Sequence, residues 1–343
     1  MKSSTRLAFA IIAVLLVAAG FWVYSKVLGA GVPLQLENRF VEIPTGASFY
    51  DVTEILYYQG IITSRKTFGM FAKRMNYAKD RMRAGRFEVK PGWTLVQLIR
   101  HLRGGQQAPV ALVLNNERLI ENVAAKAASF IEPDSLAILA VLKDENYLQR
   151  IGYTPDDLMS LFIPNTYEFF WNASPQEFVE RMIKEHDNFW RKDNRTQKAA
   201  ALGMSPKEVY SLASIVEKET NQNVEKARIA GVYLNRLKIG MRLQADPTVV
   251  FATRDFDTKR VTESHLKFDS PYNTYLYPGL PPGPISMASI ASIDAVLNAE
   301  SHDYIFFCSI GDESGLHAFA ETLEGHNRNV AQYIKNLKER GRR

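Results

Sequence analysis

Residues Ser205 to Thr220 read SPKEVYSLASIVEKET. Serine followed by proline, with glutamate three positions after the serine, opens a helix: the hydroxyl and the glutamate satisfy orphaned N–H groups, and proline fits the first turn. Beyond this cap, Leu212, Ile215, Val216 and Glu219 recur at i, i+3, i+4 and i+7, so they share one face and Glu219 stands on the apolar stripe itself. Glu217 lies about 200° round the helix, stacked with Ala213 and Ser214, on the side where a solvated charge is expected. A carboxyl in apolar surroundings keeps its proton closer to neutral pH and can donate it to a leaving oxygen. The plainer reading of Glu219 is an acid near a helix end that reaches solvent or pairs with Arg228 or Arg236.

Upstream, Ser174-Pro175 opens another helix, expected to run to about Trp190. Residues 108–343 therefore read as one larger, helix-rich α+β domain, set off by Gly104-Gly105-Gln106-Gln107. Residues 38–105 have a different rhythm. VEIPTGASFYDV (Val41 to Val52) and FEVKPGWTLVQL (Phe87 to Leu98) each give a strand, a turn glycine, a hydroxyl cap and a helix start in nearly the same register. A helix capped by Thr63 or Ser64 lies between them. The resulting β-α-α-β order resembles the LysM fold, a small carbohydrate-binding module of wall proteins.

Leu7 to Tyr24 carries no charge and is long enough to cross most of a bilayer's hydrocarbon core, about 30 Å thick. Lys2 and Arg6 precede it, and Trp22 and Tyr24 stand at its far end. Residues 1–27 are therefore expected to hold a cytoplasmic N-terminus and a single membrane span, residues 28–37 to be a linker, and the remainder to lie outside the cytoplasm. A cleaved signal peptide is the rival reading, but its apolar core is usually about 7 to 15 residues. The net charge of +5 does not point to nucleic acid, because the basic residues are scattered and export removes that partner. Attraction to an anionic wall or membrane surface suits it better. Cys308 is the only cysteine, so neither an internal disulfide nor a multi-cysteine metal site is available. No closely spaced histidine pair suits a metal hydrolase, and Ser264 to Lys267, the sole Ser-x-x-Lys, lacks the companion motifs of an acyl enzyme.

Polar clusters interrupt the apolar sequence at Asn235-Arg236, at Arg242 to Pro247 and at Ser270 to Tyr275, the last leading into Gly279 to Pro284. Rigid loops bearing amides, acids and tyrosines suit sugar binding, and each alone equally suits plain turn formation. Together with ASIVEKET (Ala213 to Thr220), NRLKIGMRLQADPTV (Asn235 to Val249), YNTY (Tyr272 to Tyr275), GLPPGPI (Gly279 to Ile285) and HNRNVAQY (His326 to Tyr333), they resemble the YceG-like family of endolytic murein transglycosylases. LFIPNTYEFF (Leu161 to Phe170) resembles the family's Phe-Pro-Asp-Thr-Tyr segment, with Asn165 in place of the aspartate.

The resemblance implies an endolytic lytic transglycosylase acting between N-acetylmuramic acid and N-acetylglucosamine in nascent peptidoglycan. It would leave 1,6-anhydromuramyl ends, terminate strand elongation, need no metal or cofactor, and work beside peptidoglycan synthases at the inner membrane. Glu219 takes the catalytic role on this reading, with Glu217 as fallback, and Gln244, Asp246, Asn273 and Tyr275 are the candidates for holding the sugars. A lysozyme-like core is expected by analogy alone. The competing reading is a membrane-anchored, non-catalytic scaffold that binds glycan and recruits synthases.

Overall fold

A computed structural model of the chain describes residues 11–18, 20 and 31–341. Residues 11–18 are helical, with exposed side chains such as Leu16 and Val17. Apart from Gly20, the rest of the expected span from Leu7 to Tyr24 falls outside the described residues, and among those described no helix is long and apolar enough to cross a membrane. The fold is helix-rich α+β, and among the described residues its sheets hold only two strands each. The chain forms two compact units.

The smaller unit runs to Ala111 and also takes in Phe130–Pro133 and Glu168–Ser174. It contains β1 (Phe40–Ile43), α1 (Phe49–Tyr58), α2 (Arg65–Arg74), β2 (Gly85–Glu88) and α3 (Leu95–Gly104). Strands β1 and β2 pair antiparallel, Phe40 opposite Glu88 and Ile43 opposite Gly85. The echo between the two sequence segments has a structural basis. Ser48 and Asp51 cap α1 reciprocally, and Thr94 and Gln97 cap α3 in the same way. Each preceding turn needs a left-handed glycine, Gly46 at φ +84° and Gly92 at +75°. Strand alternation turns Val41, Ile43 and Phe87 inward onto Val52, Leu56, Phe68 and Leu98. Two later segments belong here although no local pattern announces them: the Glu132 carboxylate accepts from Thr45 N and Oγ1, both at 2.6 Å, and Glu132 N donates to Trp171 O.

The larger unit comprises Leu112–Ser129, Asp134–Tyr167 and the chain from Pro175 onward. After β3 (Val110–Leu114) come α4 (Ile120–Ala128), α5 (Ser135–Leu142), α6 (Glu145–Arg150), β4 (Asn165–Phe169), α7 (Pro175–Arg191) and α8 (Arg195–Ala201). Helix α9 (Pro206–Glu219) then enters, followed by α10 (Asn223–Lys238), α11 (Asp246–Thr253), α12 (Glu263–Leu266), α13 (Ile290–Leu297), β5 (Phe306–Ser309), β6 (His317–Ala320) and α14 (Leu323–Glu339).

Helix α9 is the centre of this unit. Ser205 and Glu208 form the capping box its sequence calls for, and Val209 to Val216 are buried without interruption. This corrects the expectation of a solvated side. Ala213 and Ser214 are fully buried, because the segment after the Pro/Gly loop lies over them. Ser214 Oγ accepts from Ile285 N at 3.0 Å, and the Tyr210 hydroxyl accepts from Ala288 N while donating to Phe162 O. A helix covered on all sides loses the one-sided pattern that marks a surface helix.

Candidate active site

Helix α9 ends at Glu219, at the wall of a cavity of about 530 Å³ in the larger unit. Asp246, the first residue of α11, stands in the same wall. Val250, Phe251 and Ile285 supply apolar lining, so a ring-shaped ligand has both faces and edges to meet.

Tyr233, on α10, donates its hydroxyl proton to Glu219 Oε1 at 2.6 Å. Oε2 accepts no hydrogen bond from the described residues, which leaves it open to hold and deliver a proton. Burial raises the Glu219 carboxyl, the Tyr233 hydrogen bond lowers it, the Asp246 charge raises it again and Arg236 lowers it, with a net result of about 7. Neither arginine suggested by the plainer reading pairs with it. Arg228 Nε donates to Glu300, and Arg236 donates to the carbonyls of Ile305 and Leu243 at 2.6 Å each.

Glu217 is not the solvated charge its position on the helix suggested. Its Oε2 accepts from Lys226 Nζ at 2.9 Å and from the hydroxyls of Ser289 and Ser292, and its side chain is only 18% exposed. Burial would raise this carboxyl, but the Ser289, Ser292 and Lys226 hydrogen bonds outweigh it and hold the group below the usual carboxylate range. Two glutamates two residues apart are thus tuned in opposite directions, as is needed where one must stay protonated.

The other expected residues divide. Asp246 lines the cavity, and its Oδ1 accepts from the Tyr275 hydroxyl at 2.5 Å. Burial and this carboxylate push the Tyr275 phenol well above its ordinary range, so it remains a donor. Gln244 is exposed in the loop before α11 with a left-handed φ of +50°, a conformation unusual for a residue with a side chain. Its backbone N–H donates to Thr274 O, Ala245 N to Thr274 Oγ1, and Arg242 to Tyr275 O, so the Arg242–Pro247 and Ser270–Tyr275 segments are zipped together. The structure does not bring Asn273 to the cavity. It is fully buried, its Nδ2 donating to Leu266 O and Phe268 O and its Oδ1 accepting from Tyr275 N, so it shapes the loop that carries Tyr275. Asn165 is exposed on β4 with its Oδ1 turned to Thr166 N.

The sequence profile of the YceG-like family matches residues 41–332. The chain belongs to the YceG-like family. Within reach of this YceG-like chain is a Bacillus subtilis (strain 168) protein named endolytic murein transglycosylase, 27% identical over 95% of this chain and 93% of its own length. A protein of the same name from Streptococcus pneumoniae serotype 2 (strain D39) is 25% identical over 96% of this chain, which spans 65% of that longer relative. Among solved structures, a yceG-like protein from Listeria monocytogenes superposes with a TM-score of 0.56 at 29% identity, over 84% of this chain and 97% of that one.

Tyr233 is the residue of this YceG-like site that sequence reasoning missed. It lies 14 positions after Glu219, on the next helix, and no helical or strand spacing relates the two. Arg118 and Lys218 in the cavity wall were missed as well, although Lys218 sits inside the Glu-Lys-Glu segment itself.

Proposed function

We propose that this chain is an endolytic murein transglycosylase with Glu219 as its proton donor and acceptor. The observation that carries the reading is a single carboxyl, poised near pH 7 and open at Oε2, in the wall of a sugar-sized cavity. Membership of the YceG-like family and the names of the bacillar and streptococcal relatives support the same reaction.

Protonated Glu219 gives its proton to the glycosidic oxygen between N-acetylmuramic acid and N-acetylglucosamine, and the bond to C1 of the muramyl residue breaks. The carboxylate so formed takes the proton of the muramyl C6 hydroxyl as that oxygen closes on C1. The product is a 1,6-anhydromuramyl end, and no water is consumed. An acid that becomes the base of the next step serves best with a pKa near the working pH. Asp246, held by Tyr275, places negative charge where the oxocarbenium-like transition state develops positive charge, and Gln244 stands exposed in the loop just before it, outside the cavity lining.

The wider assignment follows from the same reading. Residues 1–27 anchor the enzyme in the inner membrane with its N-terminus in the cytoplasm, residues 28–37 link, residues 38–105 act as a LysM-like glycan-binding module, and residues 108–343 form the catalytic domain around a lysozyme-like helix. The antiparallel β1–β2 pair with two helices between supports the LysM-like label. An enzyme so tethered meets new strands beside the peptidoglycan synthases and ends their elongation.

The test is digestion of purified sacculi with mass analysis of the released ends. Wild-type protein is expected to release anhydromuramyl products. Glu219→Gln, which keeps the shape but cannot donate, is expected to release none while still folding and binding glycan. Release by that variant at the wild-type rate would move the chemistry away from Glu219.

A further inference from the structure

The larger unit has more acidic than basic residues over 112–343, yet its principal cavity is electropositive. Arg118, Lys218, Lys259 and Arg260 all line it, against only Asp246 and the proton-holding Glu219. Arg118 stacks its guanidinium on Phe256, 4.4 Å from the ring centroid, and neither it nor Lys218 has an ion-pair or hydrogen-bond partner among the described residues. Both are partly buried, and the Lys218 ammonium is disfavoured first by burial and then by the Arg118 charge. Glu217 partly offsets the Lys218 charge but is itself bonded to Lys226, Ser289 and Ser292, so two like charges lining one partly desolvated cavity without a bonded counter-ion still raise the energy of the free protein. An anion arriving there would be bound by charge-assisted hydrogen bonds and would relieve that repulsion.

We propose that Arg118 and Lys218 form a carboxylate subsite beside Glu219, which reads the acidic group carried by the muramyl residue at the scissile bond. The inference rests on the glycan-cleaving reading of the cavity. N-Acetylglucosamine has no acid, so a cationic subsite gives no advantage toward a uniform polymer of that sugar. Muramic acid carries its acid in one of two forms. Strands stripped of peptide expose the lactyl carboxylate, whereas strands with stem peptides have that group in an amide bond and present peptide carboxylates instead. Either form supplies a counter-ion that Arg118 and Lys218 can bond directly, and it would set which of the two alternating sugars lies over Lys218, one residue from Glu219. Register along the strand, and so the bond that is cut, would follow from charge.

Calorimetric binding to the Glu219→Gln protein tests this with three glycan preparations: strands with intact stem peptides, strands stripped by an amidase, and stripped strands whose lactyl carboxylates have been coupled to methylamine. At least one charged preparation is expected to bind about tenfold more tightly than the neutral one. A preference for stripped strands identifies the lactyl carboxylate as the ligand, and a preference for peptide-bearing strands alone identifies the stem peptide. Lys218→Met and Arg118→Met are expected to bring the charged-to-neutral ratio close to one, and Lys218→Arg to preserve it and so to exclude general misfolding. Equal affinity of the three preparations for the parent protein would overturn the proposal, as would loss by the same factor on all three in the variants. Because the strands stay intact, the ordering is measured whether or not the wild-type protein cleaves them. A preserved ordering with no cleavage by wild type would refute the enzymatic reading and leave the subsite standing.

Discussion

Glu217 and Glu219 leave the same helix in different directions, and what each meets decides what it can do. Glu217 meets an ammonium and two hydroxyls and stays ionised; Glu219 meets one phenol, a cavity and the Asp246 charge, and is lifted to about 7. If the protonated form starts the reaction, kcat/KM should fall about tenfold per pH unit above roughly pH 7, which a pH-rate profile on soluble glycan strands would reveal. Tyr233→Phe removes the bond that favours the ionised form, so the alkaline limb should move to higher pH. The same change frees the carboxyl to rotate, and a loss of about tenfold or more in kcat is expected; an unmoved limb would show that Tyr233 only packs. The sequence put Glu219 on an apolar stripe and the structure puts it in the wall of an apolar-lined cavity, but the helix is buried all round, so the stripe alone did not set it apart from Glu217. Tyr233 was not legible in the sequence, because its contact depends on how two helices cross. The expectation of a solvated Glu217 failed for the same reason: the segment over Ala213 and Ser214, and the partners Lys226, Ser289 and Ser292, come from elsewhere in the chain.

Helix starts were the most readable elements, since a cap and the residue it serves lie within four positions. Ser48, Ser64, Thr94 and Ser205 all cap the helices their sequence announces, and Pro175 opens the helix expected of it. The loops between elements were readable as rigid but not as partners. GLPPGPI shows why. Proline and glycine marked it as a turn, yet its second glycine has a tertiary purpose: a Cβ added at Gly283 would lie 1.9 Å from the Asp156 carbonyl oxygen. That backbone approach fixes the loop that runs on to Ile285, whose N–H reaches Ser214 and whose side chain lines the cavity. Gly283→Ala should therefore force the two segments apart and cost about 1–3 kcal/mol, seen as a lower melting temperature. Activity should fall by more than the unfolded fraction accounts for, because the displaced loop forms part of the cavity wall. An alanine variant with wild-type stability would mean that the loop moves freely and does not position the site.

Each of the two units has its own hydrophobic core, one around Val41, Phe68 and Phe87 and the other around Tyr210, Ile215 and Tyr233. The sequence placed a division near Gly105 from composition, but the smaller unit continues to Ala111 and recovers two later segments, a return that needs pairings such as Thr45 with Glu132 and leaves no local trace. Separate cores predict two calorimetric transitions rather than one. Glu219 gives a means of assigning them. Between about pH 4.5 and 7 the native carboxyl keeps a proton that the unfolded chain has released, so the folded state binds more protons and stability falls as pH rises through that window. The shift corresponds to about 3 kcal/mol at most, and to roughly 2 kcal/mol once solvent in the open cavity is allowed for. Glu219→Gln has no such carboxyl. Its larger-unit transition should match wild type near pH 4.5 and lie about 4–8 °C above it at pH 8, with the smaller unit's transition unchanged at both. If both transitions moved together, the units would share one cooperative fold; if neither moved, burial of Glu219 would cost the fold nothing, and the case for a proton held to neutral pH would fail with it.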